Sequence, residues 1–143
     1  MNELAPMMDQ SAVWRLQAEI AKMPQVEPHT FHYFADGMYA RVVPREKDTL
    51  LVGKVHKREH FYIVVMGSVA VLTETGPHIY EAGSILVSPP GTKRAVLALE
   101  DSVCMTVHRT DKTDLEDIEE ELIEPDPTTL FDARNQLIKE RLT

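Results

Sequence analysis

The chain has 143 residues, 43% hydrophobic and 27% charged, with one cysteine and a formal net charge of −8. That length suits a single domain that buries its own core. The lone Cys104 excludes an internal disulfide and a CxxC metal knuckle. An acidic balance argues against a duplex nucleic-acid binder, whose affinity comes largely from phosphate neutralisation. No apolar run approaches the roughly 20 residues of a membrane helix. Residues 1–23 lack the basic-then-apolar pattern of a secretory leader. A cytoplasmic protein is the expectation.

The charge is uneven. Residues 1–110 carry twelve acids against eleven Lys/Arg, whereas residues 111–126 carry nine acids against Lys112. The first stretch is therefore nearly neutral, and the acidity belongs to one late segment.

In chain order, residues 1–28 read as a helical arm. Asp9 or Ser11 can cap it, and Val13, Leu16, Ile20 and Met23 form a stripe with Trp14 alongside, ended by Pro24. Residues 29–110 read as about eight short strands. Asp36-Gly37 signals a hairpin between HTFHYF and MYARVV, and Gly67, Gly76-Pro77, Gly83 and Pro89-Pro90-Gly91 separate the later ones. Regular short strands without intervening helices predict a mainly β sandwich or barrel. Residues 111–143 read as an acidic helix with Leu115, Ile118 and Leu122 on one side, then an amphipathic helix opened by Thr128 or Thr129. The two terminal segments are expected to cover the barrel or a second copy. Exposed sheet edges also need covering, so a homodimer or higher homo-oligomer is expected.

The stretch GKVHKREHFYIVVMG (53–67) concentrates His56, His60, Lys54, Lys57 and Arg58 before an apolar run. Residues two apart on a strand share a face, so Lys54, His56, Arg58 and His60 point together if no bulge intervenes. His108 near the end of the last strand can join them. Two imidazoles with a third nearby suit a divalent metal, Fe, Mn, Ni or Zn. The cations favour a pocket for a phosphate, nucleotide or carboxylate compound. The blandest alternative makes Lys57, Arg58 and Lys93 rim charges and pairs Arg94 with Glu59, Glu74 or Glu81. Cys104, amid SVCMTVH, reads as a small buried hydrophobe.

The framework of residues 38–109 resembles a cupin, a double-stranded β-helix (jelly roll) of the RmlC-like type. Gly67 ends the first motif. Gly83, Pro89-Pro90-Gly91 and Arg94 match the glycines, prolines and spacing of the second. Metal-binding cupins place three His and one Glu at positions that here are Lys54, His56, His60 and Arg94. The resemblance thus implies a barrel pocket whose metal set is altered. VHKREHF, SPPGTKRAV and TDLEDIEEELI further resemble short cupins encoded by bacteriophages and prophages, which implies the host cytoplasm.

Three kinds of function stay open. One is a small-anion binder using Lys54, His56, His60, Tyr62, Arg94 and His108. Another is a metal-dependent oxygenase or isomerase on His56, His60 and His108, with Tyr62 or Glu59 for acid/base work. The third is a structural, oligomeric protein.

Overall fold

In a computed structural model the described residues are 2–4, 10–73 and 76–142. Helix α1 (Gln10–Ile20) is followed by strands β2 (Phe31–Ala35), β3 (Met38–Arg45), β4 (Leu50–Val52), β5 (His60–Met66), β6 (Ser68–Thr73), β7 (Gly76–Glu81), β8 (Ile85–Ser88), β9 (Ala95–Ala98) and β10 (Ser102–Arg109). A short β1 (Asn2–Leu4) pairs parallel with β8, and α2 (Leu115–Leu122) follows the barrel. No helix among the described residues is long and apolar enough to cross a membrane.

Two sheets form the sandwich. The larger runs β1-β8-β5-β10-β3-β2 and the smaller β4-β9-β6-β7. Between them lies a core of Tyr62, Val64, Val69, Val71, Tyr80, Leu86, Val96 and Cys104. The expected mainly β jelly roll is the fold observed. The β2–β3 hairpin turns at Asp36 (φ 36°) and Gly37 (φ 78°), two consecutive positive-φ residues, which give the twist that a tight hairpin needs.

Local expectations are corrected in several places. TLLVGKVH is strand only over Leu50–Val52, and His56 makes one isolated bridge to Ile123, because residues 55–57 pair with the chain leaving α2. The Arg58 side chain is consequently turned outward rather than aligned with Lys54, His56 and His60. The second C-terminal helix is absent; one 3-10 turn, Lys139–Arg141, stands there. Asp132 takes the backbone amides of Arg134 and Gln136, and Asn135 adopts φ 64°, so this stretch satisfies its backbone locally and departs from helical angles. In the N-terminal helix, Val13 and Gln17 are the buried positions and Met23 is exposed. Asp9 lies outside the described residues, and Ser11 sits inside the helix as the acceptor for Arg15.

Both terminal segments fold onto the barrel. Tyr39, Ile118 and Leu122 form a second cluster, with Leu115 and Ile123 against it, so α2 closes one end of the sandwich. On the other side, Gln17 of α1 donates to Asp126 (3.2 Å) and to Thr128 Oγ1 (3.0 Å). Lys93, expected at the rim, is buried instead. Its ammonium donates to the Gly53 carbonyl (2.9 Å), lies 4.0 Å from Asp126 and sits 4.2 Å from the Trp14 ring centre. Desolvation lowers its pKa to about 8.

Candidate functional site

A cavity of about 120 Å³ lies inside the sandwich between the sheets. Strand parity explains its cationic wall. On β3, Tyr39, Arg41, Val43 and Arg45 alternate inward, and their cross-strand partners His108, Thr106, Cys104 and Ser102 on β10 share that face. Tyr62 on β5 lies opposite Thr106, and Arg94 enters from the loop before β9. The cavity is thus lined by Arg41, Arg45, Arg94, Lys54, His56 and His60, with no carboxylate side chain among its lining residues.

The arginines are incompletely satisfied. Arg94 Nη1 donates to Ser88 Oγ (2.5 Å), and its guanidinium lies 5.1 Å from the Tyr62 ring centre. Its Nε and Nη2, together with Nε of Arg41 and Nε of Arg45, are buried without a hydrogen-bond partner. Arg94 therefore points inward and forms no ion pair with Glu59 or Glu81; Glu74 is outside the described residues. Burial lowers the pKa of Arg41 and Arg94 from its ordinary value, yet arginine stays protonated at neutral pH. Buried donors left without acceptors are costly, which makes this wall unusual for a plain packed core.

Lys54 stands apart. Its ammonium is paired with Glu119 of α2 and donates to the Asp132 carbonyl at 3.0 Å. The acidic helix is thus partly a set of counter-charges: Glu121 faces Arg58 (3.9 Å) and Lys112 (3.7 Å), and Glu116 pairs with Arg134.

His56, His60 and His108 do come together, with ring centres 4.3, 4.7 and 5.3 Å apart. The rings of His56 and His108 are within 9° of parallel, and those of His60 and His108 within 25°. Stacked rings present faces to one another, whereas metal ligands aim in-plane lone pairs at one point. Arg58 supplies a carbonyl to His60 Nδ1 (3.0 Å), which fixes the proton there, and His108 Nε2 is tied to Thr106 Oγ1 (2.9 Å). Among the described residues no three His, Cys, Asp or Glu side chains are arranged to hold a metal ion. The donor set as folded does not fit the metal centre implied by the resemblance.

Desolvation first, then neighbouring positive charge, holds these imidazoles neutral. His108 is pushed down to about 3 by burial, His60 and Arg41. His56 lies well below its ordinary value through burial, the other two histidines and Arg41. Burial and Arg94 lower His60. Burial likewise raises the Tyr62 pKa, so its phenol stays protonated and can donate into the cavity.

Of the six residues singled out in the sequence, the cavity wall includes Lys54, His56, His60, Tyr62 and Arg94, while His108 stands behind the histidines. Arg41 and Arg45 escaped the sequence reading. Their alternation with Tyr39 and Val43 in MYARVVPR was the available signal.

No family model matches the sequence, and no curated protein matches it. Solved structures do. KdgF from Halomonas sp. superposes with a TM-score of 0.53 at 18% identity, over 65% of this chain and 87% of that one. A double-stranded β-helix protein from Klebsiella pneumoniae gives 0.53 at 14%, over 68% and 84%. An RmlC-like cupin from Shewanella frigidimarina gives 0.52 at 15%, over 65% and 85%. These likenesses extend to the fold alone: the chain carries a cupin-type double-stranded β-helix.

Proposed function

We propose that the barrel pocket binds a small anion and that the protein works as a ligand-binding cupin without a catalytic centre of its own. The observation that carries this reading is the set of buried, unpartnered guanidinium nitrogens on Arg41, Arg45 and Arg94 around a cavity lacking carboxylates. An oxyanion would satisfy those donors at once, and Arg offers the planar fork such a group needs. The cavity volume is well below the roughly 300–1,000 Å³ of pockets that enclose drug-sized ligands. Inorganic phosphate or a short carboxylate fits that size. A nucleotide would enter by its phosphate and leave its base outside. The resemblance of VHKREHF and TDLEDIEEELI to phage cupins supports a host-cytoplasmic setting for this binding.

The test is a thermal-shift and calorimetric titration with inorganic phosphate, malonate and a nucleoside triphosphate, on wild type and Arg94→Met. Saturable stabilisation in wild type that is lost in the variant is the expected result. Absence of stabilisation by every anion, or its persistence in Arg94→Met, would overturn the reading.

A second reading, a divalent-metal oxygenase or isomerase on His56, His60 and His108, has their proximity in its favour. Ring stacking and the facing cations Arg41 and Arg94 weigh against it, since like charges about 4 Å apart repel by roughly 4 kcal/mol at an effective dielectric of 20. Elemental analysis of untagged protein decides between them: near-stoichiometric metal that is lost in His56→Ala would favour the enzyme. A purely structural role would give neither metal nor anion dependence.

A further inference from the structure

A second cavity, of about 260 Å³, lies between α1 and β4. Ile20, Met23, Val26, Leu50 and Leu130 give it an apolar wall. Of its polar residues, Gln17 is tied to Asp126 and Thr128, and Gln25 donates to the Ile20 and Met23 carbonyls (2.6 and 2.9 Å). Lys47 and Asp48 are turned to water. None of the unpartnered buried donors of the cationic pocket lies on it. A space with this lining favours apolar atoms over water.

The second cavity continues the cationic pocket, because three chain segments run from one to the other. On β4 and just after it, Leu50 lines the second cavity, Leu51 and Val52 line both, and Lys54 lines the first. In the link after α1, Pro24 and Val26 line the second and Pro28 the first. In the C-terminal segment, Leu130 lines the second, Phe131 both, and Asn135 the first. β4 is the outer strand of the smaller sheet, so the way between the cavities passes its edge, with Phe131 at the boundary. The cationic pocket is itself two-sided. Arg41 and Arg45 stand on β3 of the larger sheet, whereas the paired Leu51 and Val96 give the smaller sheet an apolar side.

We propose that the ligand is an anion with an unbranched apolar tail, of the class of medium-chain carboxylates. Its head meets Arg41, Arg45 and Arg94, and its tail passes Phe131 into the cavity beneath α1. This rests on the anion-binding reading of the barrel pocket and names the rest of the molecule. The first cavity, of about 120 Å³, takes little more than a head group. With the second, of about 260 Å³, the space enters the roughly 300–1,000 Å³ range of small-molecule sites. A sugar or a base would bury hydroxyls and amides there against aliphatic side chains, at a cost that an alkyl chain does not meet.

The experiment is calorimetric titration of the full chain with butanoate, hexanoate and octanoate, and with inorganic phosphate beside them. The same series is run on Val26→Trp, Met23→Trp and Arg94→Met. Burying a methylene is worth about three- to four-fold in affinity, so octanoate should bind roughly 100-fold more tightly than butanoate. Val26 and Met23 are each 56% exposed, so the fold accommodates an indole at either position while its ring fills the cavity mouth. Each tryptophan should cut the octanoate-to-butanoate ratio to about ten-fold or less. Arg94→Met should weaken all three acids together. Equal affinity for the three acids, with phosphate still bound through Arg94, overturns the tail site and leaves the anion reading standing. A chain-length gain that survives both tryptophan variants overturns it too, as does octanoate binding indifferent to Arg94→Met. Absence of binding by every anion overturns both readings.

Discussion

Glu119 neutralises Lys54 on the wall of the barrel pocket, so the acidic segment of the chain acts on the site through one side chain that does not itself line the cavity. The pairing tempers the positive field around the unpartnered arginines. Replacing the carboxylate by an amide, Glu119→Gln, should raise affinity for phosphate by about three- to ten-fold, the worth of one nearby charge in a partly hydrated setting. Calorimetry reads this directly. Unchanged or weaker binding would mean that Glu119 orients Lys54 rather than competing with the ligand.

Arg41 presents the complementary case. Its buried Nε has no acceptor, and burial lowers its pKa. A charge held this way is retained at a cost to stability. Arg41→Met should therefore stabilise the ligand-free protein by about 1–2 kcal/mol while abolishing stabilisation by phosphate. Urea unfolding with and without phosphate measures both. A destabilised variant would show that Arg41 is satisfied in solution and belongs to the packing.

Much of the fold was readable because glycine and proline punctuation is a local signal. Asp36-Gly37, Gly67 and Pro89-Pro90-Gly91 each fix a turn from within a few residues, and Arg94 follows from its spacing after Gly91. Arg41 and Arg45 were hidden for a physical reason. Ala40 and Val42 on the outer face are apolar too, so alternation in MYARVV does not say which side is the interior. Lys93 was misread as a rim charge because its partners Asp126 and Trp14 are remote in sequence. The segment from Thr128 carries helical spacing of leucines, yet Asp132 and Asn135 satisfy the backbone locally in turns.

The Lys93–Asp126 contact ties both terminal segments to the barrel. Asp126→Asn leaves a buried ammonium with the Gly53 carbonyl as its hydrogen-bond acceptor, and should cost about 2–4 kcal/mol. The chain's single tryptophan reports it, because Trp14 stacks on that ammonium. Its emission should shift to the red as α1 loosens. The deficit should shrink above about pH 8, where Lys93 discharges. A pH-independent deficit would assign the loss to the Gln17 and Thr128 hydrogen bonds of Asp126 instead.

The framework glycines differ in what they protect. Gly67 has φ 80°, and a Cβ built there would come 2.5 Å from the Asp101 carbonyl oxygen and 2.8 Å from Ser102 Cα. Gly91 has φ 86° with open space around it. Gly67→Ala should thus cost about 3 kcal/mol or more, combining steric and backbone strain, and Gly91→Ala only about 1 kcal/mol. Denaturant midpoints at equal slope compare the two. Similar losses would mean that the β6–β10 contact yields by a backbone shift.

The histidine cluster makes stability depend on pH in a defined direction. All three imidazoles have folded-state pKa values below the ordinary 6.5, His108 at about 3. Below pH 6.5 the unfolded chain binds more protons than the folded one. Stability is therefore fully present above that value and falls as pH drops toward the folded pKa values. Each depressed histidine adds a slope of up to about 1.4 kcal/mol per pH unit. Most carboxylates titrate lower, so the window from pH 6.5 to 5 isolates the histidines. Thermal melts across that window should fall steeply, and less steeply in His108→Gln. Saturating phosphate should flatten the decline, since a bound anion beside Arg41 and Arg94 offsets the charge that protonation adds. Melting temperatures constant from pH 7 to 5 would show that the cluster is open to water, and the case for a dry cationic pocket would fail with it.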